Sequence, residues 1–157
     1  MELKELYREI LNEHNINPVH KEELSEANLT LQGVNPSCGD NITLKLKTEN
    51  GKIVGGAFDG SGCAISQASV DMMLDLIIGK PETEALRLCE IFMGMIQGTV
   101  TDEQIEELDE ASALREIQHM PARVKCAELG WRTMREMLGL KKDTATASAS
   151  HPDCHTN

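Results

Sequence analysis

The sequence predicts an α+β domain. A three-stranded antiparallel meander packs against helices, with one helix before the sheet and a helical C-terminal half. Three observations lead there. Residues 42–47 alternate apolar and polar, the two-residue period of a half-buried strand. Asn50-Gly51 is the strongest short hairpin signal. Beyond residue 63 the apolar period lengthens to that of helices, interrupted at Gly79, Pro81, Gly98 and Pro121.

Residues 1–14 form the first helix, because Leu3, Leu6, Tyr7, Ile10 and Leu11 recur at helical spacing. A polar link through Asn17 and Pro18 follows. "ANLTLQG" puts Leu29 and Leu31 on one face of the first strand. "NITLKLKT" is the second, with Ile42, Leu44 and Leu46 facing one way and Thr43, Lys45 and Lys47 the other. "IVGGAFDG" is the third, where paired glycines weaken the strand or admit another backbone. Residues 63–78 are a helix that stops at Gly79. Pro81 opens the next, which ends near Gly98. Thr101 with Gln104 forms a capping box for a short acidic helix. The six acids between Asp102 and Glu110 read as a solvated face. Pro121 opens the last helix and Gly139 closes it. Residues 1–139 are therefore expected to be one domain, and residues 140–157 a polar, disordered tail.

Composition narrows the function. The 157 residues carry 15 basic and 26 acidic side chains, a net charge of −11. Nucleic-acid backbones need clustered lysine and arginine, so no nucleic-acid role is expected. No apolar run approaches the ~20 residues of a membrane span, so no membrane partner is expected. "MELKELYREILNEH" is charged throughout and lacks a signal peptide's apolar core. The expected location is the cytoplasm. Thiols stay reduced there, so the five cysteines point to metal, catalysis or burial before disulfides.

In a meander, the turn between strands one and two lies at the same edge as the end of strand three. Cys38 and Asp40, in "PSCGDN", occupy that turn, and Cys63, in "DGSGCAIS", follows strand three at a helix N-terminus. The helix dipole there favours a thiolate. Cys126 falls about a turn and a half inside the helix opened by Pro121. If that helix points the same way, three sulfurs and a carboxylate converge, a donor set for tetrahedral zinc. Three separately buried thiols are the alternative, since free cysteine is among the most buried residue types. Glycines beside Cys38 and Cys63 favour the metal, because ligand loops need them and apolar burial does not. Cys89 shares a stripe with Leu86, Phe92, Met93 and Ile96 and reads as core. Cys154 sits with His151 and His155 in the tail. His14, His20 and His119 have no ligand spacing.

"NPSCGD", "GSGCAIS" and "PARVKCAEL" resemble, in that order, the three cysteine motifs of the U-type iron–sulfur assembly proteins, the IscU/NifU-like family. The resemblance spans residues 1–139 and implies a SufE/NifU-like fold. The long segment between Cys63 and Cys126, and Lys125 where IscU proteins carry histidine, resemble the SufU branch. "MPARVK" departs from the chaperone-binding motif of IscU, so a dedicated Hsp70 partner is not implied. The resemblance implies a zinc-dependent sulfurtransferase rather than a stand-alone enzyme. Cys38, Asp40, Cys63 and Cys126 would ligate zinc (Zn2+), and Cys38 would accept persulfide sulfur. The donor would be a SufS-type cysteine desulfurase, and the recipient a SufB-containing scaffold complex. Arg123 would face the desulfurase or be a solvated helix charge. Cys38 lies on a turn and the other two cysteines on helices, which makes Cys38 the detachable thiol. The alternative is a scaffold on which a transient 2Fe–2S cluster is built on the same three cysteines.

Overall fold

The computed structural model describes residues 3–150, with side chains for 5–141. In chain order the elements are α1 (Leu3–Ile16), β1 (Leu29–Asn35), β2 (Asp40–Glu49), β3 (Lys52–Ser61), α2 (Ala64–Ile77), α3 (Glu82–Gln97), α4 (Asp102–Glu106) and α5 (Val124–Ser150). Two 3-10 stretches, Asp109–His119 and Pro121–Arg123, lie between α4 and α5. The α+β class and the meander predicted from the sequence are what the chain forms.

The sheet is antiparallel in the order β1-β2-β3. Asn50 and Gly51 both take left-handed φ, 54° and 78°, and turn β2 into β3. Ile42, Leu44 and Leu46 are fully buried while Thr43, Lys45 and Lys47 are half exposed, so the sheet has one covered face. α2 and α5 pack against each other, and α5 also covers β1. In the core Trp131 stacks on Phe92, with centroids 4.2 Å apart. Its indole N–H donates to Ser69 Oγ at 3.0 Å, and that hydroxyl donates to Ala127 O at 2.6 Å. A buried polar chain thereby ties α2 to α5 with its members satisfied.

The helix limits differ from the sequence reading in two informative places. Pro121 opens a 3-10 turn, and α5 starts at Val124. Cys126 therefore lies in the first turn of α5 instead of deeper within it. Gly139 does not close α5, which runs on to Ser150. Lysines and alanines after it are good helix formers, and one glycine lowers helix stability by only ~1 kcal/mol. Cys154, His151 and His155 lie outside the described residues. Pro81 and Gly98 do bracket α3, and the Thr101–Gln104 capping box is formed.

α1 is held by a contact absent from the sequence reading. His14 is 6% exposed. Its Nδ1 lies 2.5 Å from Asp71 Oδ2 on α2, and its Nε2 lies 2.7 Å from Glu110 Oε1 on the longer 3-10 stretch. Burial alone would lower the pKa of His14. The hydrogen bonds and charges of both carboxylates outweigh it and raise the pKa.

Candidate functional site

The meander brings the β1–β2 turn and the end of β3 to one edge, because Asn35 pairs with Asp40 and Asn41 with Ser61. Cys38 sits in that turn, exposed, with its N–H donating to Asn35 O at 3.2 Å. Gly39 follows at φ 73°, a left-handed conformation that lets the chain drop straight into β2.

Asp40 opens β2 and is fully buried. Its Oδ1 accepts from Cys63 N–H at 2.8 Å and from Ser66 Oγ at 3.1 Å. Its Oδ2 accepts from Asn35 Nδ2 at 3.3 Å. Burial pushes this carboxyl upward. Donation from the Cys63 N–H, and then from Cys126, Ser66 and Asn35, more than offsets burial and lowers its pKa. The carboxylate form is thus built into the site.

Gly62 explains the closeness of that contact. A Cβ there would lie 2.5 Å from Ser66 Oγ and 2.7 Å from Asp40 Oδ1. Only glycine lets the chain pass over Asp40 on its way into α2.

Cys63 is the N-cap of α2, half-buried, with its sulfur accepting from Ser66 N–H at 3.4 Å. Cys126 is fully buried. Its sulfur lies 3.1 Å from that of Cys38 and 3.7 Å from Asn35 Nδ2. Burial raises the pKa of the Cys126 thiol, and hydrogen bonding with Cys38 and Cys63 raises it further. Arg123 stands over this group. Bonding to Cys126, and the charges of Cys63 and Cys126, raise its pKa.

Ligand atoms of Cys38, Asp40 and Cys126 all lie within 4.8 Å of one another, a grouping that could hold a metal ion. Cys63 stands beside it, linked through Asp40 and Cys126, but outside that tight group of three. Of the remaining cysteines, Cys89 is buried in the core, as its stripe predicts. Its thiol lies 3.6 Å from Trp131 O, and burial pushes its pKa up to about 12.

Sequence reasoning missed three shaping residues. Asn35 and Ser66 fix the Asp40 carboxylate. Tyr7, from α1, lies close enough to Arg123 and Cys63 for their charges to act on its hydroxyl. Asn35 and Ser66 are end residues of the first two cysteine motifs, "NPSCGD" and "GSGCAIS", which was the available signal. Tyr7 read only as an apolar position of α1.

Comparison with known proteins gives one coherent result. Residues 6–127 match the model of the NifU-like N terminal domain. The chain is 40% identical over 136 residues to the "iron-sulfur cluster assembly scaffold protein IscU" of Streptococcus pyogenes serotype M1, covering 87% of this chain and 84% of that one. It is 37% identical over 134 residues to the "zinc-dependent sulfurtransferase SufU" of Bacillus subtilis strain 168, covering 85% and 90%. A crystal structure from Fervidobacterium islandicum AW-1, described as a candidate iron–sulfur cluster assembly scaffold for the SUF system, superposes with a TM-score of 0.79. It shares 34% identity, with 85% of this chain and 97% of that one covered.

Proposed function

We propose, from the premise that this chain belongs to the family of NifU-like N-terminal domains, that it accepts sulfane sulfur on Cys38 and hands it on during iron–sulfur cluster assembly. The observation that carries this reading is the meeting of an exposed thiol, Cys38, with a buried thiol and a buried carboxylate within 4.8 Å. The zinc-dependent sulfurtransferase at 37% identity supports it.

The donor set fits zinc. Two sulfurs sharing a tetrahedral zinc stand ~3.8 Å apart, from Zn–S bonds of ~2.3 Å. The observed 3.1 Å separation needs only a small spreading of the Cys38 turn. Cys38, Asp40 and Cys126 would hold the ion, with Cys63, whose side chain already meets that of Cys126, as the fourth ligand. Bound there, zinc would keep the thiols deprotonated at neutral pH.

The chain's own groups then have distinct tasks. Asp40 is held in place by three donors and does not move. Cys63 and Cys126 are anchored in the first turns of α2 and α5. Cys38 alone is on an exposed turn and can reach a partner. Its thiolate attacks the outer sulfur of a partner's cysteine persulfide. The partner's S–S bond breaks, its cysteine leaves as a thiolate, and Cys38 becomes a persulfide with no net oxidation. The chemistry requires a persulfide donor, for which a cysteine desulfurase of the SufS type is proposed, and a SufB-containing scaffold is the proposed recipient. Arg123, exposed above the thiols, is suited to meet an acidic group of the desulfurase and to steady the anionic persulfide.

The relative named as an assembly scaffold, at 40% identity, favours a second reading in which the same thiols build a cluster. Cys38→Ser separates the two. For sulfur transfer, the variant keeps its fold and most of its metal but yields no persulfide, and it no longer stimulates the desulfurase. Full stimulation by Cys38→Ser contradicts the acceptor role.

A further inference from the structure

The end of β1 and the start of α5 meet through one close approach. Gly33 and Asn35 are buried, with exposed Val34 between them, so both lie on the covered side of the strand. A Cβ on Gly33 would lie 2.1 Å from Thr133 Oγ1 and 3.3 Å from Leu129 Cδ1, so α5 comes down directly onto the strand there. Cys126, at i−3 from Leu129 and i−7 from Thr133, shares their face of the helix. The same strand side, two residues on, therefore presents Asn35 to Cys126.

Asn35 is 5% exposed. Its Nδ2 donates to Asp40 Oδ2 at 3.3 Å and to the Cys126 sulfur at 3.7 Å. One amide nitrogen thus serves a buried carboxylate and a buried thiol together. Its carbonyl also accepts from Cys38 N–H, at 3.2 Å, and closes the turn. Asparagine fits this place. Serine would offer one donor, alanine none, and aspartate would set a second carboxylate against Asp40.

The three sulfurs are thereby unequal. Cys126 receives the Asn35 amide, and Cys63 receives the Ser66 N–H at 3.4 Å. Among the described residues, the Cys38 sulfur is hydrogen-bonded only to the Cys126 sulfur, at 3.1 Å. A hydrogen bond to a ligating sulfur orients it and draws charge from it. We propose that Asn35 is a positioning residue whose amide clamps Asp40 and Cys126 as a fixed pair of ligands, which leaves Cys38 as the sulfur that detaches while the ion stays bound. This rests on the metal-assisted sulfur-transfer reading above and deepens it, by naming what keeps the ion in place when Cys38 leaves.

The test uses the full-length chain, first with cobalt(II) as the probe metal. Its sulfur-to-cobalt absorption reports hydrogen bonding to the coordinated sulfur, and loss of a donor moves that band to longer wavelength. Asn35→Leu is expected to move it. Ser66→Ala takes a donor from Asp40 and none from a sulfur, so it is expected to leave the band in place. Cys38→Ala then imitates the detached state, with Asp40, Cys63 and Cys126 alone on the ion. In that background Asn35→Leu is expected to weaken zinc binding ~10–100-fold, measured by competition with a chelator. Circular dichroism verifies the fold of each variant, and Asn35→Ala replaces Asn35→Leu if leucine unfolds the chain. A band unmoved by loss of Asn35, or moved equally by Ser66→Ala, overturns the proposal. Unchanged zinc affinity in the Cys38→Ala background overturns it too. A parent protein that binds neither cobalt nor zinc overturns the metal reading itself, and the proposal with it.

Discussion

Replacing His14 with alanine removes the fastening between α1, α2 and the 3-10 stretch. Asp71 is fully buried and keeps only its bond from His20 N–H, at 2.8 Å, once the imidazole is gone. Breaking a buried ion pair by deleting one partner costs ~3–5 kcal/mol. The surviving His20 bond places this case near the lower end. Glu110 has a side chain 47% exposed, and its bond to His14 adds only ~0–1 kcal/mol. A loss of about 3 kcal/mol follows, which for a chain of this size is a fall of ~6–12 °C in melting temperature. The pH dependence is diagnostic. The folded pKa of His14 is raised, so its contribution is fully present below the unfolded value of ~6.5 and fades as pH climbs through the higher folded value. Urea melts of both proteins at pH 6 and pH 9 are the assay. The deficit of His14→Ala should be largest at pH 6 and smaller at pH 9. A deficit that stays constant or grows with pH refutes the charged pair.

Three further outcomes are expected. Gly62→Ala forces a Cβ to within 2.7 Å of Asp40 Oδ1 and should destabilise the fold by ~1–3 kcal/mol and lower metal content, read by melting and elemental analysis. Asp40→Asn should lose its deficit relative to the parent in metal-free protein as pH falls. A carboxyl of lowered pKa stabilises above its unfolded value of ~3.9 and ceases to as pH drops through the folded one, which melts between pH 3 and 6 can follow. Chelation should lower the thermal midpoint, because a metal bound only by the folded site stabilises the fold and its removal forfeits that binding energy. An unchanged midpoint after verified metal removal contradicts that coupling.

The parts of this molecule that were legible in the sequence share a short range. Alternation in residues 42–47, the Asn50-Gly51 turn and the Thr101–Gln104 box are each specified by neighbours within a few positions, and each formed as read. The approach of Cys63 to Cys38 and Asp40 followed from topology, since a meander has only one edge where its first turn and last strand end together. Cys126 was harder to place. A proline can start a 3-10 turn as readily as an α-helix, and the shift put its sulfur in the first turn of α5. His14 was illegible because Asp71 and Glu110 stand 57 and 96 residues away, so no local spacing marks the pair. Cys63 shows a further limit. Motif order brings its backbone to the carboxylate, while its rotamer is set by the Ser66 N–H of its own helix.

The most direct test of the central account is persulfide mapping by mass spectrometry after incubation with a SufS-type desulfurase and cysteine, with metal measured in the same sample purified without oxygen. The account predicts one zinc per chain and a single added sulfur atom on the peptide that contains Cys38. Iron with acid-labile sulfide in place of zinc, or added sulfur absent from Cys38, would contradict it.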